Sequence, residues 1–344
     1  MPKRSVSGRS ALPNLILVLI SLAVVLLIVE AALRLFGMAN PVIYRPDPKF
    51  GYEPKPNQSP NRLGVRIYIN DIRLRDDEQS SALLDSNPRV LVVGDSVTYG
   101  GSRIAQPDLF TEVLEQELRE AQPAVKVLNA GVNGYSVSQM VKRGASLLDQ
   151  TQPQYLVIYT IRGDFFRPPV QFLAEGNYIY PLEKPSSALI EFLVLSISYI
   201  DRRYPIFRFL PSKVAELWNM PENYVPEYDE AKIVDIHFAA LEEFLKTIWE
   251  PSGRSRSQVV AFVAPNREEL AKNSAEFHSE LLRKFKGLNI KAYDLTDDFR
   301  RGIEAGGGII DDYYWDFVHY GEKGHALAAR AMAKHLTPLM HSPG

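Results

Sequence analysis

A serine hydroxyl becomes a strong nucleophile when an imidazole takes its proton and a carboxylate fixes the tautomer of that imidazole. The chain supplies these three groups at two places. Gly94-Asp95-Ser96-Val97-Thr98-Tyr99-Gly100 follows an apolar run, and Asp316-Phe317-Val318-His319 precedes the last helical stretch. A glycine lets the chain turn sharply where a strand ends, so Ser96 at the start of the next helix can direct its hydroxyl into the space beyond. The Ser96 N–H is then one of that helix's unpaired first donors and suits an anion. Taken alone, Gly-Asp-Ser reads better as a helix cap. It is the Asp316-x-x-His319 pair that makes a nucleophile the better reading, because one loop carries both base and orienting carboxylate. The other five histidines are His237, His278, His325, His335 and His341. None has such a carboxylate after a sheet-forming stretch, although Asp235 lies two residues before His237; His325 reads as packing within the last helix.

These residues need a scaffold, and the apolar runs predict one. Arg89-Val-Leu-Val-Val and Tyr155-Leu-Val-Ile-Tyr-Thr are continuous and rich in β-branched residues, as is Val259-Val-Ala-Phe-Val-Ala. Such runs mark strands buried on both faces of a parallel sheet. Residues 124–128 and 290–295 are weaker strand candidates, and residues 66–70 alternate as a short strand. Helical patterns fall at 110–118, 136–149, 229–250, 268–286 and 324–336. Alternating strands and helices predict a three-layer α/β/α domain around a parallel sheet, over residues 65–340. In such sheets ligands bind beyond the carboxyl ends of the strands, where Ser96 would stand. Residues 165–228 break the rhythm with aromatics and prolines, among them Phe172, Tyr178, Tyr180, Trp218 and Tyr228. They are expected to form an insertion over that edge of the sheet. Its apolar stretch near 188–200 is too short to span a bilayer, and reads either as a packed helix or as a lid touching lipid or an acyl chain.

Composition removes several alternatives. Hydrophobic residues are 46% and charged residues 23% of the 344, which is ordinary for a globular chain. The net charge of −2 lacks the basic excess of a nucleic-acid binder, so no nucleic acid is expected as a partner. With no cysteine, disulfides, thiolate catalysis and cysteine-held metal are excluded. Two acidic clusters, Asp76-Asp77-Glu78 and Asp311-Asp312, read as solvated surface, so no metal and no organic cofactor is expected. At the N-terminus, Lys3, Arg4 and Arg9 precede an uncharged stretch at 10–29. At about 1.5 Å per residue that stretch spans roughly 30 Å, a bilayer's hydrocarbon thickness. It is longer than a signal-peptide core and lacks a small-x-small cleavage site. Residues 1–10 therefore read as a cytosolic basic tail and 11–37 as an uncleaved transmembrane signal anchor. By the positive-inside rule the remainder is extracytoplasmic, at the inner membrane with its domain in the periplasm. The prolines of residues 38–64 suggest a linker or surface arm.

Taken together these blocks resemble the SGNH (GDSL-type) hydrolase superfamily, in its bacterial membrane-anchored members, across residues 65–340. The resemblance implies the flavodoxin-like fold of that superfamily. It implies Ser96 as nucleophile, His319 as general base and Asp316 as its orienting carboxylate. Asn129-Ala-Gly131-Val-Asn133-Gly134 resembles the second block, which implies the Gly134 N–H as an oxyanion donor. Asn70…Arg73-Leu74-Arg75-Asp76 resembles a stretch that precedes the first block in anchored members. The third block departs from the pattern: Ile161-Arg162-Gly163-Asp164 has Gly163 where the family's Gly-x-Asn-Asp carries an oxyanion-donating Asn. Three accounts stand open: Arg162 or Arg167 replaces the donor, Asn133 serves from the neighbouring loop, or the site is weak. The leading expectation is a serine esterase acting on O-acyl esters, O-acetyl among them, of a small molecule or polysaccharide. The alternatives are an O-acyltransferase modifying an exported polysaccharide, and an inactive glycan-binding or scaffold protein.

Overall fold

The computed structural model describes residues 11–169, 180–203, 230–272 and 276–341. The basic tail and much of the aromatic-rich insertion, including Phe172, Tyr178, Trp218 and Tyr228, lie outside the described residues. Helix α1 (Ala11–Leu35) comes first and is followed by two antiparallel hairpins, β1 (Tyr44–Asp47) with β2 (Gly51–Pro54) and β3 (Asn61–Arg62) with β4 (Val65–Arg66). A short helix α2 (Ser80–Leu83) leads to β5 (Arg89–Val93), which ends in the single-turn helix α3 (Ser96–Tyr99). Then follow α4 (Phe110–Arg119), β6 (Lys126–Asn129), α5 (Val137–Thr151) and β7 (Tyr155–Ile161). Helices α6 (Ala188–Arg203) and α7 (Glu230–Phe244) precede β8 (Val259–Ala264). Helices α8 (Arg267–Lys272) and α9 (Glu276–Gly287), β9 (Lys291–Asp294), α10 (Thr296–Ala305) and α11 (Glu322–His341) complete the chain.

Strands β5 to β9 form one parallel sheet in the order β6-β5-β7-β8-β9. Each strand sends alternate residues to opposite faces, and those residues divide between two cores. Leu91, Val93, Leu156, Ile158 and Ala261 join α5, α7 and α9 in one. Val90, Val92, Val157, Tyr159 and Phe262 join α4, α10 and α11 in the other. The three-layer α/β/α architecture expected from the runs is therefore present. The strand order is flavodoxin-like, and its direction reverses between β5 and β7. A crevice opens at such a switch point beyond the carboxyl ends of the strands, where Ser96 is found.

Residues 38–64 differ from the expected linker. Tyr44, Phe50 and Tyr52 are buried in the core shared with α5. The prolines did not prevent pairing, because a two-stranded ribbon uses only alternate backbone donors and Pro46 stands opposite Tyr52 at its outer edge. Buried Glu53 on β2 receives Arg73 Nε at 2.9 Å and Arg143 Nη1 from α5 at 2.8 Å. Of residues 66–70, only Arg66 lies in a named strand, while Ile69 bridges to Gln58. The helical pattern at 268–286 is divided between α8 and α9. Asp76 is likewise no solvated residue: it is buried 3.5 Å from Lys126 Nζ, and burial, opposed by Lys126, raises its carboxyl to about 6.

Candidate active site

Val93 ends β5, and Gly94 follows where an added Cβ would overlap the Thr98 side chain. Asp95 caps α3 through its Oδ1, which accepts the Val97 N–H at 2.8 Å. Ser96 is thus the first residue of α3, and Gly100 closes the turn with φ of 79°. The loop after β6 is tied to the end of β5 by Ala130 N–H to Val92 O at 2.8 Å and Val132 N–H to Gly94 O at 3.1 Å. Gly131 lies so close to Tyr99 N that no side chain fits, and Gly134 adopts φ of 75° beneath the Tyr52 and Tyr180 hydroxyls. These contacts hold the loop that carries Gly131 and Gly134 against the end of β5 and the α3 turn. Among the described residues neither the Ser96 N–H nor the Gly134 N–H has an acceptor.

The loop between α10 and α11 brings the other two groups. His319 Nε2 lies 2.8 Å from Ser96 Oγ, and His319 Nδ1 lies 2.7 Å from Asp316 Oδ2. Asp316 Oδ1 accepts the N–H groups of Val318 and His319 at 2.8 and 2.7 Å. Burial raises the Asp316 carboxyl, but the His319 side chain and these N–H donors outweigh it and hold the carboxyl below its usual value. An ionised Asp316 keeps the proton on Nδ1, so Nε2 is free to accept the Ser96 hydroxyl proton. The Trp315 ring stacks on His319 with centroids 5.0 Å apart, and Arg103 lies 4.6 Å over the Trp315 ring. Trp315 is 44% exposed, so an aromatic ring borders the site on its solvent side, and Phe317, beside Asp316 in sequence, is 73% exposed.

The chain matches the model of a family described as GDSL-like Lipase/Acylhydrolase over residues 90–332. It belongs to that family. That family is one of lipases and acylhydrolases. No curated protein matches it. Among solved structures it is similar to a two-domain esterase active on acetylated mannans, at 13% identity over 77% of this chain and 53% of that one, with a TM-score of 0.43. The chain thus spans about half the length of that esterase. It is also similar to an acetylxylan esterase from Geobacillus stearothermophilus, at 14% identity over 73% of this chain and 94% of that one, with a TM-score of 0.42. The lipase/acylhydrolase from Enterococcus faecalis is 12% identical over 73% of this chain and 96% of that one, with a TM-score of 0.40.

Two of the residues considered as replacement donors in this GDSL-like site are engaged elsewhere. The Arg162 guanidinium lies over the rings of Phe277 and Phe166, at 5.0 and 5.7 Å, and takes no part in the described hydrogen bonds at Ser96. Asn133 Nδ2 lies 3.2 Å from the Tyr44 hydroxyl, and the Asn133 carbonyl accepts Tyr52 Oη–H at 2.7 Å. Arg167 behaves differently: its Nη1 bridges Asp95 Oδ2 at 3.0 Å, the Tyr135 carbonyl at 2.8 Å and the Asp164 carboxylate. Burial and the neighbouring Asp95 push the Asp164 carboxyl well up, and Arg167 opposes them. Arg167 therefore joins the first and third blocks from behind the serine. It is held in turn by His237, whose Nε2 lies 3.0 Å from the Arg167 carbonyl and whose Nδ1 lies 2.7 Å from Ser138 Oγ. Burial lowers His237 to about 4, so it is a neutral ring that donates to Arg167 and accepts from Ser138. Behind α3, buried Arg75 donates to the Gly101 carbonyl and to Ile104 O at 2.8 Å. Sequence reading missed the His237 and Trp315 contacts, and only the oddity of an arginine beside the third block hinted at Arg167. Among the described residues no group of three His, Asp or Glu side chains is arranged to hold a metal ion.

Proposed function

We propose that the protein is a membrane-anchored, extracytoplasmic serine esterase whose catalytic groups are Ser96, His319 and Asp316. The observation that carries this reading is the unbroken path Asp316 Oδ2 to His319 Nδ1 at 2.7 Å and His319 Nε2 to Ser96 Oγ at 2.8 Å. His319 takes the Ser96 proton as the oxygen attacks the ester carbonyl. The resulting oxyanion is held by the N–H groups of Ser96 and Gly134. Collapse expels the alcohol, which takes the proton from His319 and leaves an acyl group on Ser96. His319 then deprotonates a water that attacks this ester, releasing the acid and restoring the serine. Exposed Trp315 and Phe317 at the rim suit a sugar ring, whose C–H faces pack on aromatic planes, so O-acylated, including O-acetylated, polysaccharide is the proposed substrate. Anchoring rests on α1, whose residues Leu12–Leu35 are long and apolar enough to cross a bilayer and have none of that window buried.

Hydrolysis of a short-chain chromogenic ester tests the reading. Ser96→Ala should lower turnover by at least about 10³-fold and abolish labelling by a fluorophosphonate. Labelling of the wild type without turnover would assign the acyl-enzyme to an acceptor other than water, as in a transferase. A folded wild type that is not labelled at all would overturn the catalytic reading.

A further inference from the structure

Helix α6 begins where the apolar wall of α1 ends. Near the end of α1, Glu30 accepts the N–H groups of Ala188 and Leu189 at 2.9 and 2.8 Å and the Ser187 hydroxyl at 2.9 Å. One turn further on, Arg34 donates to the Ser186 carbonyl at 2.6 Å. The first unpaired donors of α6 are thus satisfied by α1 itself. A second fastening lies beside it: Glu191 pairs with Arg62 at 2.8 Å and accepts the Ala39 N–H at 2.5 Å, with both charged side chains buried. Met38, Ala39 and Ala188 bury one another, with Leu33 and Leu195 packed on them. Positions 188, 191 and 195 therefore form the face of α6 that grips α1 and the chain after it. The rest of the helix surface is apolar and open, with positions 190, 193 and 197 opposite that face and Phe192 on its flank. Ile190 is 52% exposed, Phe192 45% and Leu193 48%, and Val194 and Ile197 are only part-buried.

We propose that this open face of α6 lies in the interfacial layer of the bilayer, as an in-plane helix that seats the hydrolase on the membrane. The inference rests on the reading of α1 as a membrane span. Twenty residues, 11 to 30, rise about 30 Å at 1.5 Å each, which puts Glu30 at the boundary of the hydrocarbon layer. The start of α6 is hydrogen-bonded to Glu30 and shares that height. Apolar side chains at such a depth penetrate the boundary between headgroups and acyl chains. The exposed patch begins within a turn of the residues bonded to Glu30, where the exposed wall of α1 ends, so lipid at that height reaches both. An apolar patch left in water would instead favour association. The arrangement also limits how far the Gly134 loop can stand from α6. The Tyr180 hydroxyl lies against Gly134, and Ala188 is eight residues further along the chain than Tyr180. At 3.3–3.6 Å per residue, the Gly134 loop is held within about 30 Å of the start of α6. Esters presented at the membrane surface are the substrates such a seat favours.

The absence of cysteine allows single-site labelling of the full-length chain. Phe192→Cys, Leu22→Cys on α1 and Ile309→Cys at an exposed position of the α10–α11 loop would each carry a fluorophore, in phosphatidylcholine–phosphatidylglycerol vesicles. Retained ester turnover shows that each variant folds. Quenching by lipids with a shallow or a deep nitroxide is compared with quenching by aqueous iodide. The expected result is several-fold stronger quenching at position 192 by the shallow lipid than by iodide, at position 22 by the deep lipid, and at position 309 by iodide alone. Position 192 quenched by iodide as strongly as position 309, or shielded from both agents, means water or protein covers the face. Either result overturns the proposal while position 22 still reports a span. Iodide access at position 22 would overturn the span reading, and the proposal with it.

Discussion

At the scale of the residue, the proposed oxyanion site is where the resemblance to the family breaks. The resemblance implies an asparagine donor where Gly163 stands, and Arg162, Asn133 and the Nη1 of Arg167 are bound to other partners. A Cβ built on Gly163 meets only Ile161 Cδ1 at 3.9 Å, an ordinary contact, and the backbone there is not left-handed. Asparagine therefore fits without strain. Gly163→Asn should raise kcat on a short-chain ester by roughly 10-fold or more, since one oxyanion donor is worth on the order of 10²–10³ where it is fully used. Steady-state kinetics would show it, and an unchanged or lower kcat would mean that another donor already occupies the position. The meeting of Ser96, Asp316 and His319 was legible because the chemistry restricts residue type, because Ser96 opens α3 and because Asp316 and His319 lie three residues apart in one loop. The Arg167 bridge and the His237 contact were not. Their partners lie 72 and 99 residues away in sequence, and no local pattern joins them.

At the scale of the element, the central strands β5, β7 and β8 were legible because burial on both faces forces uninterrupted apolar runs, whereas the edge strands β6 and β9 carry a weaker pattern. The hairpins of residues 44–66 were hidden, since strands of two to four residues rich in proline carry no periodicity. The packing of α9 was also invisible. Buried His278 on that helix has Nδ1 3.0 Å from Asp294 Oδ1 at the end of β9, and Nε2 3.6 Å from Glu269 on α8. Burial lowers its pKa, but Asp294 and Glu269 outweigh burial and raise it to about 9. The folded state therefore keeps a proton that the unfolded chain releases near 6.5. The resulting stability, on the order of 2 kcal/mol, is complete below about pH 6.5 and is lost as the pH rises through 9. Thermal melts at pH 6 and pH 9.5 should show a larger drop in Tm for the wild type than for His278→Gln. Equal drops would mean that the imidazole carries no charge in the folded state.

At the scale of the whole molecule, the proposed anchor and the proposed nucleophile are joined by one chain of contacts. Helix α1 fastens α6 through Glu30. The segment before α6 brings Tyr180 to Gly134, and the switch point of the sheet sets Gly134, Ser96 and His319 at one edge. The apolar length of α1 was readable from sequence, whereas its grip on α6 was not, because Glu30 and Ala188 are 158 residues apart. The central claim is that Ser96 is the nucleophile activated by His319. The measurement that addresses it most directly is peptide mapping by mass spectrometry of the full-length protein in membranes after reaction with a fluorophosphonate. The adduct should fall on the peptide containing Ser96 and nowhere else, and His319→Ala should slow its formation by at least about 100-fold. An adduct on another residue, or equal labelling rates with and without His319, would contradict the account.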